Sequence, residues 1–336
     1  MEGTTAAPVP DNLIQPFQIE SMGAQGRLVR LGGAVQAVLG AHDYPEEVAR
    51  LLGEAQAIAG LLAGTLKFDG VLTLQLKGDG PVKILIVDVT SEGAMRGYAQ
   101  FNRDKLAALG DDDKAPHQAI PRYLGNGYLA LTVDQGDDMQ RYQGIVPLEG
   151  ATLSDCAHAY FRQSVQLDAV IKVAVDHIEG PDGESVWRAG AIMLLRLETQ
   201  GVQHMAGDRA DPELEDAWRR AIVLMGSCRS GELLDRELHP NDLLYRLFNE
   251  DGVRVFDPTA LEMRCRCSRD RVENVLRSFP RAEIETMKIG DDVVVTCEFC
   301  NTNYRFDPAA IDALYAAPPS TAGGVRFRQA KPRPRD

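Results

Sequence analysis

This chain is short of positive charge. Across 336 residues, 36 Lys and Arg stand against 49 Asp and Glu, giving a net charge of -13 and a pI near 5.0. Nucleic-acid binders need concentrated positive charge, so a nucleic-acid partner is not expected. Long apolar runs are missing as well. None approaches the ~20 residues that cross a bilayer, so no membrane partner is expected either. A phosphate-binding loop of the Walker type is absent, which argues against ATP-driven chemistry. The six histidines are scattered without ligand spacing. Residues Met1 to Pro10 carry neither a basic nor an apolar stretch. A secretory signal is therefore not expected, and the expected compartment is a reducing cytoplasm.

Cysteine is scarce too, six in all, but four fall in two clusters: Cys265-Arg266-Cys267 and Cys297-Glu298-Phe299-Cys300. A C-x-C followed at this distance by a C-x-x-C has the spacing of a tetrahedral four-thiolate zinc site. Val293 to Thr296 reads as a strand running into the second pair, and Tyr304 to Phe306 as a strand returning from it. In an extended Cys265-Arg266-Cys267 both sulfurs point to the same side and can reach one ion. The expected cofactor is one Zn²⁺ per chain on Cys265, Cys267, Cys297 and Cys300. No His or carboxylate near the cluster is an obvious water-activating partner, so no residue is assigned as catalytic. The plainest role for the metal is to replace a core that so small a domain cannot build. A redox role is the sharper reading. Arg264, Arg266, Arg269 and Arg271 crowd the first pair in sequence, and nearby cations favour the reactive thiolate.

Upstream, periodicity predicts α+β with antiparallel sheets. Met1 to Asn12 reads as a frayed end and Phe17 to Leu31 as a strand ending at a Gly32-Gly33 turn. Tyr44 to Lys67 is helical, with Val48, Leu51, Leu52, Ala55, Ile58, Ala59 and Leu62 on one face. Alternation on both sides of Gly78-Asp79-Gly80 predicts a hairpin from Val71 to Asp88. Strands are expected at Met95 to Phe101, Tyr128 to Val133 and Arg141 to Pro147, and a helix over Thr152 to Gln166. Two apolar stretches, Ala169 to His177 and Val186 to Leu197, flank a turn at Gly180 to Gly183. Gly201 to Pro212 is polar and reads as a boundary. Beyond it, Leu214, Ala217, Trp218, Ala221, Ile222 and Met225 form one helical stripe. Leu233, Leu234 and Leu238 form a second, and Pro240 opens a third with Leu243, Leu244, Leu247 and Phe248. Within the zinc segment, Asp270 and Glu273 read as a capping box. There Val272, Val275, Leu276 and Phe279 share a face, Pro280 stops the helix, and a last helix starts at Asp307-Pro308.

The run Cys265-Arg-Cys-Ser-Arg-Asp-Arg-Val-Glu-Asn-Val-Leu, with Val295-Thr-Cys-Glu-Phe-Cys-Asn and Tyr304-Arg-Phe, resembles the zinc domain of the 33-kilodalton heat-shock protein family. Tyr160-Phe-Arg-Gln-Ser-Val-Gln-Leu167 resembles a helix of that family's N-terminal domain, and the order of segments agrees up to about residue 315. The resemblance implies a redox-regulated, ATP-independent chaperone that binds unfolded or aggregation-prone clients. It implies that oxidation pairs Cys265 with Cys267 and Cys297 with Cys300, releasing zinc and unfolding a linker. It also implies a homodimer when oxidised, and ATP-driven foldase chaperones downstream. On this basis the expected domains are an α+β client-binding core over residues 1–205, a metastable helical linker over 206–258 and a redox-switch zinc domain over 259–316. Residues 317–336 are read as a disordered basic tail. The spacing itself permits a switch without establishing one. A constitutive zinc-domain interaction module is the alternative; a thiol oxidoreductase using Cys297 and Cys300 would need a βαβ setting the sequence does not offer.

Other candidates have plainer readings. Cys156 and Cys228 read as buried small hydrophobes. His158, two residues from Cys156, faces elsewhere on a helix and makes no nucleophilic dyad. Asp111 to Asp113 read as a solvated loop. Arg162 and Gln163 match the resembled helix without an evident role.

Overall fold

Alternation of apolar and polar residues gives this chain two six-stranded sheets, and a third, smaller one near its C-terminal end. A computed structural model of the protein describes residues 9–110, 119–136, 141–180, 183–197 and 212–316. The chain divides into two compact units, Met1–Cys265 and Arg266–Asp336.

The first unit opens with β1 (Leu13–Ile19) and β2 (Ala24–Leu31). The single strand expected over Phe17 to Leu31 is thus the end of one strand and all of the next. A turn over Glu20–Met22 and Gly23 at φ 57° fold it into a hairpin. Gly32-Gly33, expected as a turn, instead opens α1 (Gly33–Leu39). Asn12, expected to be frayed, caps that helix: its Oδ1 accepts from the Gly32 and Ala34 N–H groups, both at 2.9 Å. Then come α2 (Glu46–Ala63), β3 (Val71–Gly78), β4 (Val82–Thr90), β5 (Ala94–Phe101) and α3 (Arg103–Ala107). β6 (Gly127–Asp134), β7 (Tyr142–Pro147), α4 (Leu153–Tyr160), β8 (Ala169–Glu179) and β9 (Ser185–Arg196) follow. The predicted hairpins and helices fall here, α4 continuing as a wider helical turn through Val165.

After residues 198–211, which lie outside the described residues together with most of the expected boundary, come α5 (Pro212–Ser227), α6 (Ser230–Leu234) and α7 (Pro240–Phe248). Three very short strands, β10 (Val253–Val255), β11 (Thr259–Ala260) and β12 (Glu262–Met263), close the unit. One sheet runs β10-β1-β2-β9-β8, with β11 also on β1; the other runs β12-β5-β4-β3-β6-β7. All pairings are antiparallel except β12 on β5.

Two cores result. One lies around α1, α2 and α4, and joins apolar residues of both sheets. The α2 face named from periodicity is buried throughout, and Gln56 and Ala57 on the far side are buried with it. The other core lies against the first sheet, where Phe17, Ile19, Leu28, Ile192 and Leu194 meet Trp218, Met225, Leu233, Leu243, Leu244 and Phe248. Helices as short as α6 and α7 are marginal in water. Contact with this sheet face is what holds them.

The second unit contains α8 (Arg269–Arg277), α9 (Arg281–Thr286), β13 (Lys288–Ile289), β14 (Asp292–Thr296), β15 (Asn303–Phe306) and α10 (Pro308–Ala316). Its three strands pair in order, and its core is Leu276, Ile284, Val293, Phe306, Ile311 and Leu314. Two expectations are corrected. The cap of α8 is Ser268, whose Oγ accepts from the Arg271 N–H, while Glu273 turns to Arg269 and Arg277. Of the expected apolar face, Leu276 alone is fully buried; Val275 is 56% and Phe279 38% exposed, because the core lies under one narrow side of a short helix. The tail, residues 317–336, lies outside the described residues.

Candidate metal centre

The second cysteine pair is shaped by main-chain bonds. β14 and β15 pair from Val293–Phe306 to Thr296–Asn303, and the link between them is a tight knuckle. The Cys297 N–H donates to the Thr302 carbonyl at 2.9 Å, and the Asn301 N–H donates to the Cys297 carbonyl at 2.8 Å. Asn301 takes φ 56°, which asparagine tolerates better than most residues. On the other side, the Arg264 N–H donates to the Met95 carbonyl at 3.0 Å, holding the residue before Cys265 beside β5. Cys267 immediately precedes Ser268, the cap of α8.

The sulfurs of Cys265, Cys267, Cys297 and Cys300 all lie within 4.8 Å of one another. A tetrahedral zinc with sulfurs at about 2.3 Å sets them about 3.8 Å apart. The separation of Cys267 from Cys300, 3.4 Å, is close to that, so the donor set fits one thiolate-bound ion. With four protein sulfurs no coordination position is left for substrate. Around them, the Tyr304 hydroxyl donates to Cys267 Sγ at 3.1 Å, and Thr302 Oγ1 lies 3.2 Å from Cys300 Sγ. The bond to Cys267 is the first cause that pushes the Tyr304 phenol up to about 12. All four cysteines are partly exposed, so a small oxidant reaches them.

Three of the arginines crowded along the sequence, Arg264, Arg269 and Arg271, hold partners other than the sulfurs. Arg264 pairs with Glu92 and Glu262, at 3.2 and 3.0 Å. Arg269 pairs with Glu273 and donates to the Arg305 carbonyl, and Arg271 donates to the Arg266 carbonyl. A cation that sequence reasoning missed lies beside one of the sulfurs: Arg96 Nη1 is 4.0 Å from Cys265 Sγ, while Asp88 holds the same guanidinium at 2.7–2.8 Å. The contact spans 169 residues, and nothing in the sequence announces it.

The remaining candidates stay apart from the cluster. Cys156 and Cys228 are buried, and burial pushes their thiols up to about 12 and about 11, so both are inert. Cys156 Sγ donates to the Glu149 carbonyl, while His158 Nε2 accepts from the Ile171 N–H; they form no dyad. Arg162 and Gln163 are exposed. His117, His204 and Asp111 to Asp113 lie outside the described residues. Among the described residues, the four cysteines are the one group able to hold a metal, and no helix is long and apolar enough to cross a membrane.

Comparison with known proteins agrees with this layout. The fold is similar to the crystal structure of the 33 kDa chaperonin from Thermotoga maritima, with a TM-score of 0.73 over 91% of this chain and 98% of that one, at 22% identity. The chain is 43% identical over 301 residues to the 33 kDa chaperonin of Caulobacter vibrioides strain NA1000, covering 89% of this chain and 96% of the relative. It is 37% identical over 311 residues to that of Pseudomonas fluorescens strain SBW25, covering 92% and 95%. The Hsp33 protein family matches residues 12–307, a span that takes in both large sheets and all four clustered cysteines. Identity of that extent, on that fold, makes this chain a member of the Hsp33 family, which is a family of chaperones and not of enzymes.

Proposed function

We propose that this Hsp33-family chaperone is a holdase that binds one Zn²⁺ per chain through Cys265, Cys267, Cys297 and Cys300 and is silent in that state. Oxidation joins Cys265 to Cys267 and Cys297 to Cys300. Each bond takes two electrons from two thiolates, and a molecule of peroxide accepts them with two protons to become two waters. No thiolate is then left for the metal, and the zinc leaves. The clustering of four partly exposed sulfurs within 4.8 Å carries this reading, because one set of atoms serves both as the whole donor set and as the oxidant's target.

The working divisions we assign are a client-binding core up to about residue 205, a linker over 206–258, a switch domain over 259–316 and a tail beyond. Helices α5 to α7 cover apolar residues of the first sheet, and their loosening would expose both surfaces. Clients are unfolded or aggregating proteins, bound without ATP in the cytoplasm. The oxidised chain would associate as a homodimer and pass clients to ATP-driven chaperones. The test is to treat reduced, zinc-loaded protein with peroxide, then follow metal release and suppression of aggregation of a heat-denatured protein. Both are expected together. Zinc retained through mild oxidation, with unchanged client binding, would identify a constitutive interaction module instead.

A further inference from the structure

The core beneath the linker helices is not purely apolar. Two arginines of the first sheet, Arg30 and Arg188, are 1% and 5% exposed. Arg30 lies opposite Gly190 in the pairing of β2 with β9, and Arg188 stands two residues before Gly190 on β9. Burying two cations side by side is costly, and each must find acceptors. Burial first, and then the neighbouring Arg188, hold the Arg30 guanidinium below its ordinary pKa.

Its acceptors come from one short segment of main chain. Arg30 Nη1 donates to the carbonyls of Asp235 and Leu238, at 2.6 and 2.5 Å, and Nη2 donates to that of Glu232 at 2.9 Å. Arg188 Nε donates to the Leu234 carbonyl at 2.9 Å, while its two Nη atoms hold Asp11 at 2.8 and 2.9 Å. Four carbonyls between residues 232 and 238 are thus gripped, and no side chain of that segment is used in these bonds. Gly190 completes the seat. A Cβ there would come within 2.6 Å of the Leu233 carbonyl oxygen, so the sheet is cut away where main chain presses against it. Arg30 Nε, buried and without an acceptor, is a further unused donor at the same place.

This grip has no dependence on sequence. Its chemistry requires carbonyl oxygens not committed to a helix or sheet, with apolar side chains on either side for Phe17, Leu28 and Ile192. An unfolded polypeptide offers both at almost any position. We propose that Arg30 and Arg188 are the residues by which the uncovered sheet face takes a client, seizing its main-chain carbonyls as they seize those of residues 232–238 in the resting chain. This rests on the reading that oxidation releases the linker. Asp11 already supplies Arg188 with a carboxylate, so the added partner is main chain and not an acidic side chain.

The test uses the full-length chain and Arg30→Met. In the reduced, metal-loaded protein, hydrogen exchange over residues 230–238 should rise in the variant while the hairpin over 71–90 stays protected. After oxidation, the affinity for reduced, carboxymethylated lactalbumin should fall about tenfold or more, the loss of about 1.4 kcal/mol. Apolar peptides with and without Asp and Glu should bind the oxidised wild type alike. Arg30→Lys, which keeps the charge but not the fork, should fall between the two and carries the test should the Met variant not fold. Unchanged exchange over 230–238, or equal client affinity once the linker is open, would overturn the proposal, as would binding confined to acidic peptides. If the oxidised wild type keeps residues 212–248 protected, the redox reading fails, and the exchange of the resting variant still decides whether the arginines grip this segment.

Discussion

The Ile171 N–H donates to Nε2 of His158 at 2.7 Å, so an edge strand of the first sheet is tied to α4 through an imidazole that must be neutral. Burial lowers the His158 pKa, the nearby Asp155 opposes that, and Arg162 adds to it. With the folded pKa below the unfolded value of about 6.5, the unfolded chain binds more protons as pH falls past that point. The contribution is therefore whole above about pH 6.5 and is lost on acidification, by at most about 1.4 kcal/mol one unit lower. The urea midpoint should drop between pH 7.5 and 5.5, and His158→Gln should flatten that drop. A variant with an unaltered slope would remove His158 from the account.

Glu54 works in the opposite direction. It lies on α2 beside Leu51, Ala119 and Tyr123, and burial raises its carboxyl to about 7 despite the opposing Arg50. That arginine is already held by Glu46 and Asp176, at 3.2 and 3.1 Å. A folded pKa above the unfolded value of about 4.3 means stability present at low pH and lost as pH rises toward 7. Glu54→Gln should stabilise the protein by about 3–4 kcal/mol at pH 8 and by only about 1 kcal/mol at pH 5. An equal effect at both values would show that Glu54 does not titrate in this range.

Tyr304 is the polar neighbour of the sulfurs whose loss is easiest to read. Its hydroxyl donates to Cys267 Sγ at 3.1 Å, and hydrogen-bonding partners of metal ligands typically contribute 10–100-fold to affinity. Tyr304→Phe should release zinc to a competing chelator at about tenfold lower chelator concentration, with the fold of residues 71–90 unaffected. Retention equal to wild type would mean that the hydroxyl only fills space.

Much of this architecture is legible in the sequence because strong local signals agree with the tertiary result. Gly78-Asp79-Gly80 separates two alternating runs and yields β3 and β4; the cysteine spacing alone brings four sulfurs to one point. The misses have physical causes. α1 begins in Gly32-Gly33, where propensity favours a turn, and is held by Asn12 from twenty residues away. β10, β11 and β12 are two or three residues long and owe their existence to their partners' free edges. Arg30 stands where alternation predicts an apolar residue, and its acceptors lie more than two hundred positions downstream. No local pattern encodes that.

Metal removal tests the second unit directly. Its buried apolar core amounts to Leu276, Ile284, Val293, Phe306, Ile311 and Leu314, and a domain with so little core usually needs a metal or disulfides. Structural zinc contributes roughly 10–16 kcal/mol to comparable thiolate domains, against about 5–15 kcal/mol for the stability of whole domains. Stripping the reduced protein with a chelator should therefore abolish exchange protection across β14, β15 and α10. The hairpin of β3 and β4, whose alternate side chains lie in the larger core, should keep its protection. Cys265→Ser, Cys267→Ser, Cys297→Ser or Cys300→Ser should each reproduce the loss without a chelator, while Cys156→Ser and Cys228→Ser should leave metal content at one per chain. Persistent protection of β14 and β15 in metal-free protein would show that the six apolar residues suffice, and that the thiolates serve the switch without holding the fold.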